Sequence, residues 1–234
     1  DAGRPRPGTA SGDRHRPCAR RRSADRRRSG HGSRAGSGPV ARTWRPMTAR
    51  RVSAVILAGG RSSRFGRDKL AEPVAGRALL TYAIDAVRPL ATEIIVVAAP
   101  GASATLPDDV TLAHDPVAFE GPLAGLLVGL AVAREPIVLV VGGDMPSLVG
   151  AVLEAMLAEF DSPGADTSPG GPQAVVLEHE GRQRPLPMVV LRQPALVEAH
   201  RLIAAGERRL RVLAQGLTAR VLAESSWRAI DPGG

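Results

Sequence analysis

The sequence predicts an α/β fold, a parallel sheet with helices on both faces. Three observations carry that prediction. Val52-Ser53-Ala54-Val55-Ile56-Leu57, Ile94-Ile95-Val96-Val97 and Ile137-Val138-Leu139-Val140-Val141 are short runs with almost no polar position. A strand with one wet face alternates apolar with polar residues, so these runs belong to strands buried on both faces. The stretches between them repeat apolar residues at helical spacing, and strand–helix alternation builds a parallel sheet.

The elements follow in order. Residues 52–57 form a buried strand that runs into Gly59-Gly60. From Leu79 to Val87, residues Leu79, Leu80, Ala83, Ile84 and Val87 share one helical face. Ile94 to Val97 is the second strand, and Val110-Thr111-Leu112-Ala113 a weaker third. Pro122 to Ala133 is helical, with proline at the first turn, where its missing N–H costs nothing. Ile137 to Val141 is the clearest strand, and Val149, Val152, Leu153, Met156, Leu157 and Phe160 form the next helical stripe. Asp161 to Pro172, rich in Ser, Pro and Gly, is expected to be a loop. Ala174 to Leu177 and Met188 to Leu191 are strand-like and joined through Glu180-Gly181. Pro194 to Ala205 and Arg208 to Ala214 are expected as helices, and Ala219 to Leu222 as a last strand.

Charge divides the chain. Of 234 residues, 31 are Lys or Arg and 23 Asp or Glu, a formal charge of +8. Residues 1–46 hold 13 Arg against 3 Asp, no Leu, Ile or Phe, and a single Val, so the domain expected over 47–234 carries −2. A segment so poor in apolar side chains cannot offset its ordering entropy, so 1–46 is expected to be a disordered tail. The first methionine is Met47, five residues before the first strand, and the tail is expected to be upstream translated sequence and not native coding sequence. An arginine-rich nucleic-acid arm is the alternative, but Trp44 is its only aromatic, and no nucleic-acid partner is expected for the folded domain. The longest apolar run, Pro122 to Ala133, is 12 residues. A membrane span needs about 20, so none is expected. Cys18 is the only cysteine, which excludes a disulfide or a cysteine-ligated zinc site within one chain. With no apolar signal segment at the start, the expected location is cytoplasmic.

Ligands of parallel sheets bind beyond the carboxyl ends of the strands, and three of those ends carry unusual residues. The first leads into Gly59-Gly60-Arg61-Ser62-Ser63-Arg64-Phe65-Gly66-Arg67-Asp68-Lys69. Adjacent glycines let backbone N–H groups approach an anion, and Arg64 and Lys69 add positive charge, so the loop suits a polyphosphate. Lys69 is the only lysine in the chain, and its compact charge suits phosphate oxygens; a solvated loop cation is the alternative. The loop is neither a Walker A sequence nor a dinucleotide fingerprint. The third strand ends in His114-Asp115, shortly before Gly121-Pro122-Leu123-Ala124-Gly125, and the fourth in Gly142-Gly143-Asp144-Met145-Pro146. A carboxylate closing an aliphatic strand costs desolvation unless a charge meets it, and Mg²⁺ is the natural partner of Asp144. The alternative for Asp144 is an N-cap for the helix that follows.

These residues resemble a known family. Leu57-Ala58-Gly59-Gly60-x-Ser62-x-Arg64-Phe65-Gly66-x-Asp68-Lys69 resembles the signature of the MobA-like nucleotidyltransferases. Asp115 with Gly121-Pro122-Leu123-Ala124-Gly125 resembles their second motif, and Asp144-Met145-Pro146-x-Leu148 their metal-binding one. Gly206-Glu207-Arg208-Arg209 is similar to a stretch of the molybdenum cofactor guanylyltransferases within that family. The resemblance implies a Rossmann-like three-layer domain with a mostly parallel sheet. The implied reaction is Mg²⁺-dependent transfer of GMP from GTP to Mo-molybdopterin, with release of pyrophosphate. It implies that Leu57, Ala58, Gly59 and Gly60 line the nucleotide, that Lys69 and Arg64 contact phosphates, and that Asp115 and Gly121 adjoin the nucleotide. Asp144 would bind Mg²⁺, with Asp231 as a second candidate ligand. Departures are Ala98 where the family often has asparagine, Arg184-Pro185 in place of His-Pro, and Ala229 at the first polar position of a late motif. CTP in place of GTP, a sugar-phosphate acceptor, and a relative that binds nucleotide without turnover are the other readings.

Overall fold

The computed structural model divides at Pro46/Met47 into two units. It describes residues 51–59, 73–74, 77–102, 105–115, 121–160 and 171–233, all in the second unit. Six β-strands of that unit are β1 (Val52–Leu57), β4 (Glu93–Ala98), β5 (Val110–His114), β6 (Ile137–Gly142), β7 (Ala174–His179) and β8 (Arg182–Leu191), with β9 (Ala219–Leu222) closing the series; a short hairpin, β2 (Pro73–Val74) and β3 (Arg77–Ala78), precedes the first helix. The helices are α1 (Leu79–Val87), α2 (Pro122–Val132), α3 (Gly150–Ala158), α4 (Arg192–Ala204), α5 (Leu210–Gly216) and α6 (Glu224–Arg228).

Seven strands pair in the order β5-β4-β1-β6-β8-β7-β9. All pairings are parallel except those of β8, which runs antiparallel to both β6 and β7. The expected mostly parallel sheet is therefore present, with one reversed strand inserted. The reversal follows from the tight Glu180-Gly181 turn, where Glu180 has φ 52° and Gly181 φ 68°. So short a connection can only return the chain antiparallel.

Both sheet faces are covered, as strands without a polar face require. On one face Val55, Ile95, Val97, Val138 and Val140 pack with Leu123, Leu126 and Leu130 of α2, Leu202 of α4 and Leu213 of α5. On the other, Ala54, Ile56, Val96, Leu139 and Val141 pack with Leu80 and Ile84 of α1, Leu153 and Met156 of α3, and Trp227 of α6. At the amino edge the single buried polar side chain among the described residues, Ser53, donates to Glu93 Oε1 at 2.5 Å and accepts from the Glu135 N–H.

The expected helices and strands appear with shifts of a few residues at their ends. The hairpin β2–β3 and α6 had no signal in the periodicity, being too short to show one. The loop expected over 161–172 falls almost wholly outside the described residues, as does the tail. Among the described residues, no helix is long and apolar enough to cross a membrane.

Candidate active site

The strand order contains a topological switch point. From β1 the chain moves outward to β4 and β5, then crosses back to place β6 on the other side of β1. Connections that diverge from neighbouring strands leave a crevice beyond their carboxyl ends, where ligands of open α/β sheets bind.

Three backbone bonds fix the floor of this crevice one step past the strands. The Ala58 N–H donates to the Val97 carbonyl at 2.8 Å, Gly143 N–H to Leu57 at 2.9 Å, and Asp115 N–H to Ala98 at 3.0 Å. The ends of β1, β4, β5 and β6 are thereby locked to one another. Above β1, β4 and β5 lies a cavity of about 280 Å³ lined by Leu57, Gly59, Val97, Ala98, Ala99, Pro100, Asp115, Gly121, Pro122 and Gly125. Its described walls are chiefly aliphatic, and Asp115, half-buried, is the only charged residue among the described residues that line it. Such a pocket is near the lower size limit for small-ligand sites, and its described lining brings the Asp115 carboxylate to it.

Local geometry explains several of these residues. Gly121 caps α2 with φ 95°, and a Cβ there would lie 3.0 Å from both Cβ and the carbonyl oxygen of Arg208. Only glycine satisfies both conditions. A Cβ at Gly59 would meet the Ala99 nitrogen at 3.7 Å, so the chain leaving β1 passes close to the turn after β4. That turn is held by His114, whose Nδ1 lies 3.2 Å from the Ala99 carbonyl. A carbonyl only accepts, so Nδ1 carries the proton in this bond.

Asp144 stands across β1 from the cavity, two residues past the end of β6. It is exposed, and among the described residues no group bonds its carboxylate. A Cβ on Gly142 would lie 2.9 Å from Asp144 Oδ1, so the carboxylate folds back over the strand end because Gly142 is bare. The N-cap alternative does not hold: α3 begins only at Gly150, is capped by Val149, and has no side-chain cap. Asp231 follows α6, its N–H bonded to the Trp227 carbonyl at 2.9 Å. The Trp227 indole N–H donates to the Glu178 carbonyl at 2.7 Å, near the carboxyl end of β7. Asp231 therefore stands on the same sheet edge as Asp144, with β8 between their strands. Among the described residues, no cluster of three or more His, Cys, Asp or Glu has metal-binding spacing.

Of the residues singled out in the sequence, the structure brings Leu57, Gly59, Asp115 and Gly121 together in the cavity and sets Asp144 beside it. Ala58 adjoins the cavity through its backbone without lining it. Gly60, Arg64 and Lys69 lie outside the described residues. Val97, Ala99 and Pro100 were not anticipated. Their side chains carry no chemistry, and only the pairing of β4 with β1 makes them walls.

A crevice at the switch point, a largely apolar pocket that includes the Asp115 carboxylate and a second, exposed carboxylate across β1 mark an α/β enzyme of the nucleotide-binding class. Comparison with known proteins narrows the class. A model of the MobA-like NTP transferase domain matches residues 54–221, and the chain belongs to that family of nucleotidyltransferases. It is 36% identical over 185 residues to a probable molybdenum cofactor guanylyltransferase of Chloroflexus aggregans, covering 77% of this chain and 85% of the relative. It is 30% identical over 173 residues to the molybdenum cofactor guanylyltransferase of Burkholderia vietnamiensis, covering 68% and 80%. Among solved structures, molybdopterin-guanine dinucleotide biosynthesis protein A from Archaeoglobus fulgidus superposes with a TM-score of 0.59 at 20% identity, over 77% of this chain and 87% of that one. The 2-C-methyl-D-erythritol 4-phosphate cytidylyltransferase of Thermus thermophilus follows at 0.55 and 18%, over 72% and 87%. At these identities the solved structures show the fold alone.

Proposed function

We propose that the protein transfers GMP from GTP to the terminal phosphate of Mo-molybdopterin. An oxygen of the acceptor phosphate bonds to the α-phosphorus of GTP, the α–β bridging bond breaks, and pyrophosphate leaves with the bond electrons. The acceptor is already a nucleophile, so the reaction needs no Ser-His-Asp or paired-carboxylate machinery. Catalysis rests on positioning two anions and neutralising the charge that grows on the leaving group.

The observation that carries this reading is the placement of two carboxylates on either side of β1. Asp115 sits inside the apolar cavity. Guanine presents adjacent N–H donors along one edge, which a single carboxylate accepts together, whereas aliphatic walls only sandwich the ring. Asp144, exposed and with no bonded group among the described residues, stands where the phosphates of a nucleotide leaving that cavity would lie. One exposed carboxylate beside a phosphate path fits Mg²⁺, which takes one or two carboxylates and keeps water and phosphate oxygens for the rest of its shell. We assign Asp144 to that ion, with Asp231 as a second candidate. The ion, when bound, neutralises phosphate charge. Leu57, Ala58, Gly59 and Gly60 would line the nucleotide, Gly121 would shape its wall, and Lys69 and Arg64 would hold phosphates.

The test is pyrophosphate release by the purified protein with Mg²⁺ and Mo-molybdopterin, offered GTP, CTP, ATP and UTP in turn. Release with GTP alone is the expected result. Release with CTP would overturn the base assignment and keep the chemistry. No release with any of the four, from folded protein, would mean another acceptor, such as a sugar phosphate, or a protein that only binds.

A further inference from the structure

The Gly206-Glu207-Arg208-Arg209 segment lies far from the phosphate loop in sequence, yet the fold brings it against the cavity. Helix α4 ends in a Schellman arrangement: Gly206, at φ 82°, donates to the Ile203 carbonyl at 2.9 Å, and Glu207 N–H donates to Leu202 at 2.9 Å. The chain then turns beneath α2. The Arg208 carbonyl accepts from the Leu123 N–H at 3.3 Å, and so satisfies one of the free donors at the start of α2, which has no side-chain cap. The same carbonyl is what a Cβ on Gly121 would meet at 3.0 Å. Gly121 and Pro122, the first residues of that helix end, line the cavity.

Arg208 is held in this place by its own guanidinium, whose Nη1 donates to the Ile203 carbonyl at 3.3 Å and the Glu207 carbonyl at 3.1 Å, and, through the backbone, by a carboxylate. Glu207 Oε1 accepts from the Arg208 N–H at 2.8 Å, the Arg209 N–H at 2.9 Å and Arg209 Nε at 2.8 Å, while Oε2 accepts from Arg209 Nη2 at 2.6 Å. Four donors converge on one side chain, and all four belong to Arg208 and Arg209, the two residues that run under α2. The Arg209 guanidinium is engaged by Glu207 in a bidentate pair and is not simply presented to solvent as an anion trap.

We infer that Glu207 is a positioning residue: its carboxylate fixes the Arg208 peptide, whose carbonyl sets the Gly121 corner and the first turn of α2, the wall against which the nucleotide lies. The functional half of this inference rests on the cavity being the nucleotide site. The structural half does not, and the two separate experimentally. Glu207 is not among the described residues that line the cavity, and it acts through the Arg208 carbonyl, Leu123 N–H and Gly121 in sequence.

The experiment compares the full chain, E207A, E207Q and a surface control, R201Q, by amide hydrogen exchange over residues 121–126 without ligand, and by GTP affinity and kcat and KM. E207A is expected to speed exchange at Leu123 and to raise the GTP KM roughly 10-fold or more, the cost typical of removing a residue that orients a ligating group, with kcat much less affected. E207Q keeps an acceptor for the two backbone N–H groups but loses the charge facing Arg209, so it shifts both readouts in the same direction and by less. R201Q shifts neither. Should E207A not fold, the E207Q shift decides alone. Unchanged exchange at Leu123 in the folded variants overturns the inference. Faster exchange with unchanged GTP affinity overturns its role toward the nucleotide. Wild-type protein that binds no GTP while Leu123 still responds to Glu207 refutes the nucleotide reading and leaves the structural coupling standing.

Discussion

At Asp144, placement and chemistry meet in one side chain. A carboxylate that closes an aliphatic strand and is bonded by no described residue gains nothing for the fold from its charge. Asp144→Asn is therefore expected to leave the urea midpoint unchanged or slightly raised. Turnover should fall by about 10²–10³, the scale of losing one preorganised electrostatic contact. Equal loss of stability and activity would make Asp144 structural. Gly142 gives a second handle on the same carboxylate. Because a Cβ there would lie 2.9 Å from Asp144 Oδ1, Gly142→Ala is expected to displace the carboxylate, lowering kcat while GTP binding persists. Steady-state kinetics with GTP varied would show the split, and a changed KM with constant kcat would contradict it. Asp115 and Asp144 were legible in the sequence because a charged residue ending an apolar run stands out. Ala99 and Pro100 were not, since nothing in a side chain without polar atoms announces a cavity wall. The close approach of Arg208 to Gly121 was equally hidden, being a contact between residues 87 positions apart.

Helix α2 shows how an element reaches its place. It is apolar on nearly every side, with Leu123, Leu126 and Leu130 fully buried, and it carries two glycines one turn apart. Glycine inside a helix costs roughly 1 kcal/mol in propensity, which the sequence alone leaves unexplained. The structure supplies the reason: a Cβ on Gly129 would lie 2.5 Å from Val55 Cγ1, whereas one on Gly125 would make ordinary contacts at 3.7 and 3.8 Å. Gly129 lets α2 lie close on β1 and β4, and so brings its first turn to the cavity. Gly129→Ala is expected to destabilise by about 1–3 kcal/mol through overpacking, despite the gain in helix propensity. Gly125→Ala should be near neutral or stabilising. Paired urea titrations would test this, and equal effects at the two sites would refute it. Elements such as α2 and β6 were legible because each is an unbroken apolar run. The five-residue α6 was not, since it exists by docking Trp227 on β7.

At the scale of the whole molecule, strand–helix alternation made the sheet and its covered faces legible, but not the strand order that creates the switch point, which depends on how crossovers pack. Charge is distributed unevenly over the same fold. Glu198, Glu207 and Glu224 all have carboxyls held below the usual range, by hydrogen bonds from Arg201, from Arg209 with two backbone N–H groups, and from Arg228 with the Glu180 N–H. A carboxylate whose folded value is depressed adds stability above its unfolded value, about 4.3, and that stability fades as pH falls toward the folded value. All three lie in α4, α6 and the segment before α5. Acidification below about pH 4 is expected to speed exchange there, after correction for intrinsic rates, before it does so in β1, β4 and β6. The arginines that hold these half-buried carboxylates are exposed and the pairs screened, so the effect is small, and uniform loosening of the sheet would contradict it. The largest asymmetry lies outside the described residues. The 13 Arg of residues 1–46 make the chain basic, while the remainder carries −2. The family match runs over residues 54–221 and leaves residues 1–46 out, whereas the cations of the family signature, Arg64 and Lys69, fall inside it. We therefore propose that residues 1–46 are dispensable for the chemistry. Protein beginning at Met47 is expected to keep its turnover with GTP and to lose retention on heparin. Turnover that falls with the tail, while the melting temperature of the remainder stays constant, would make those arginines part of the substrate site.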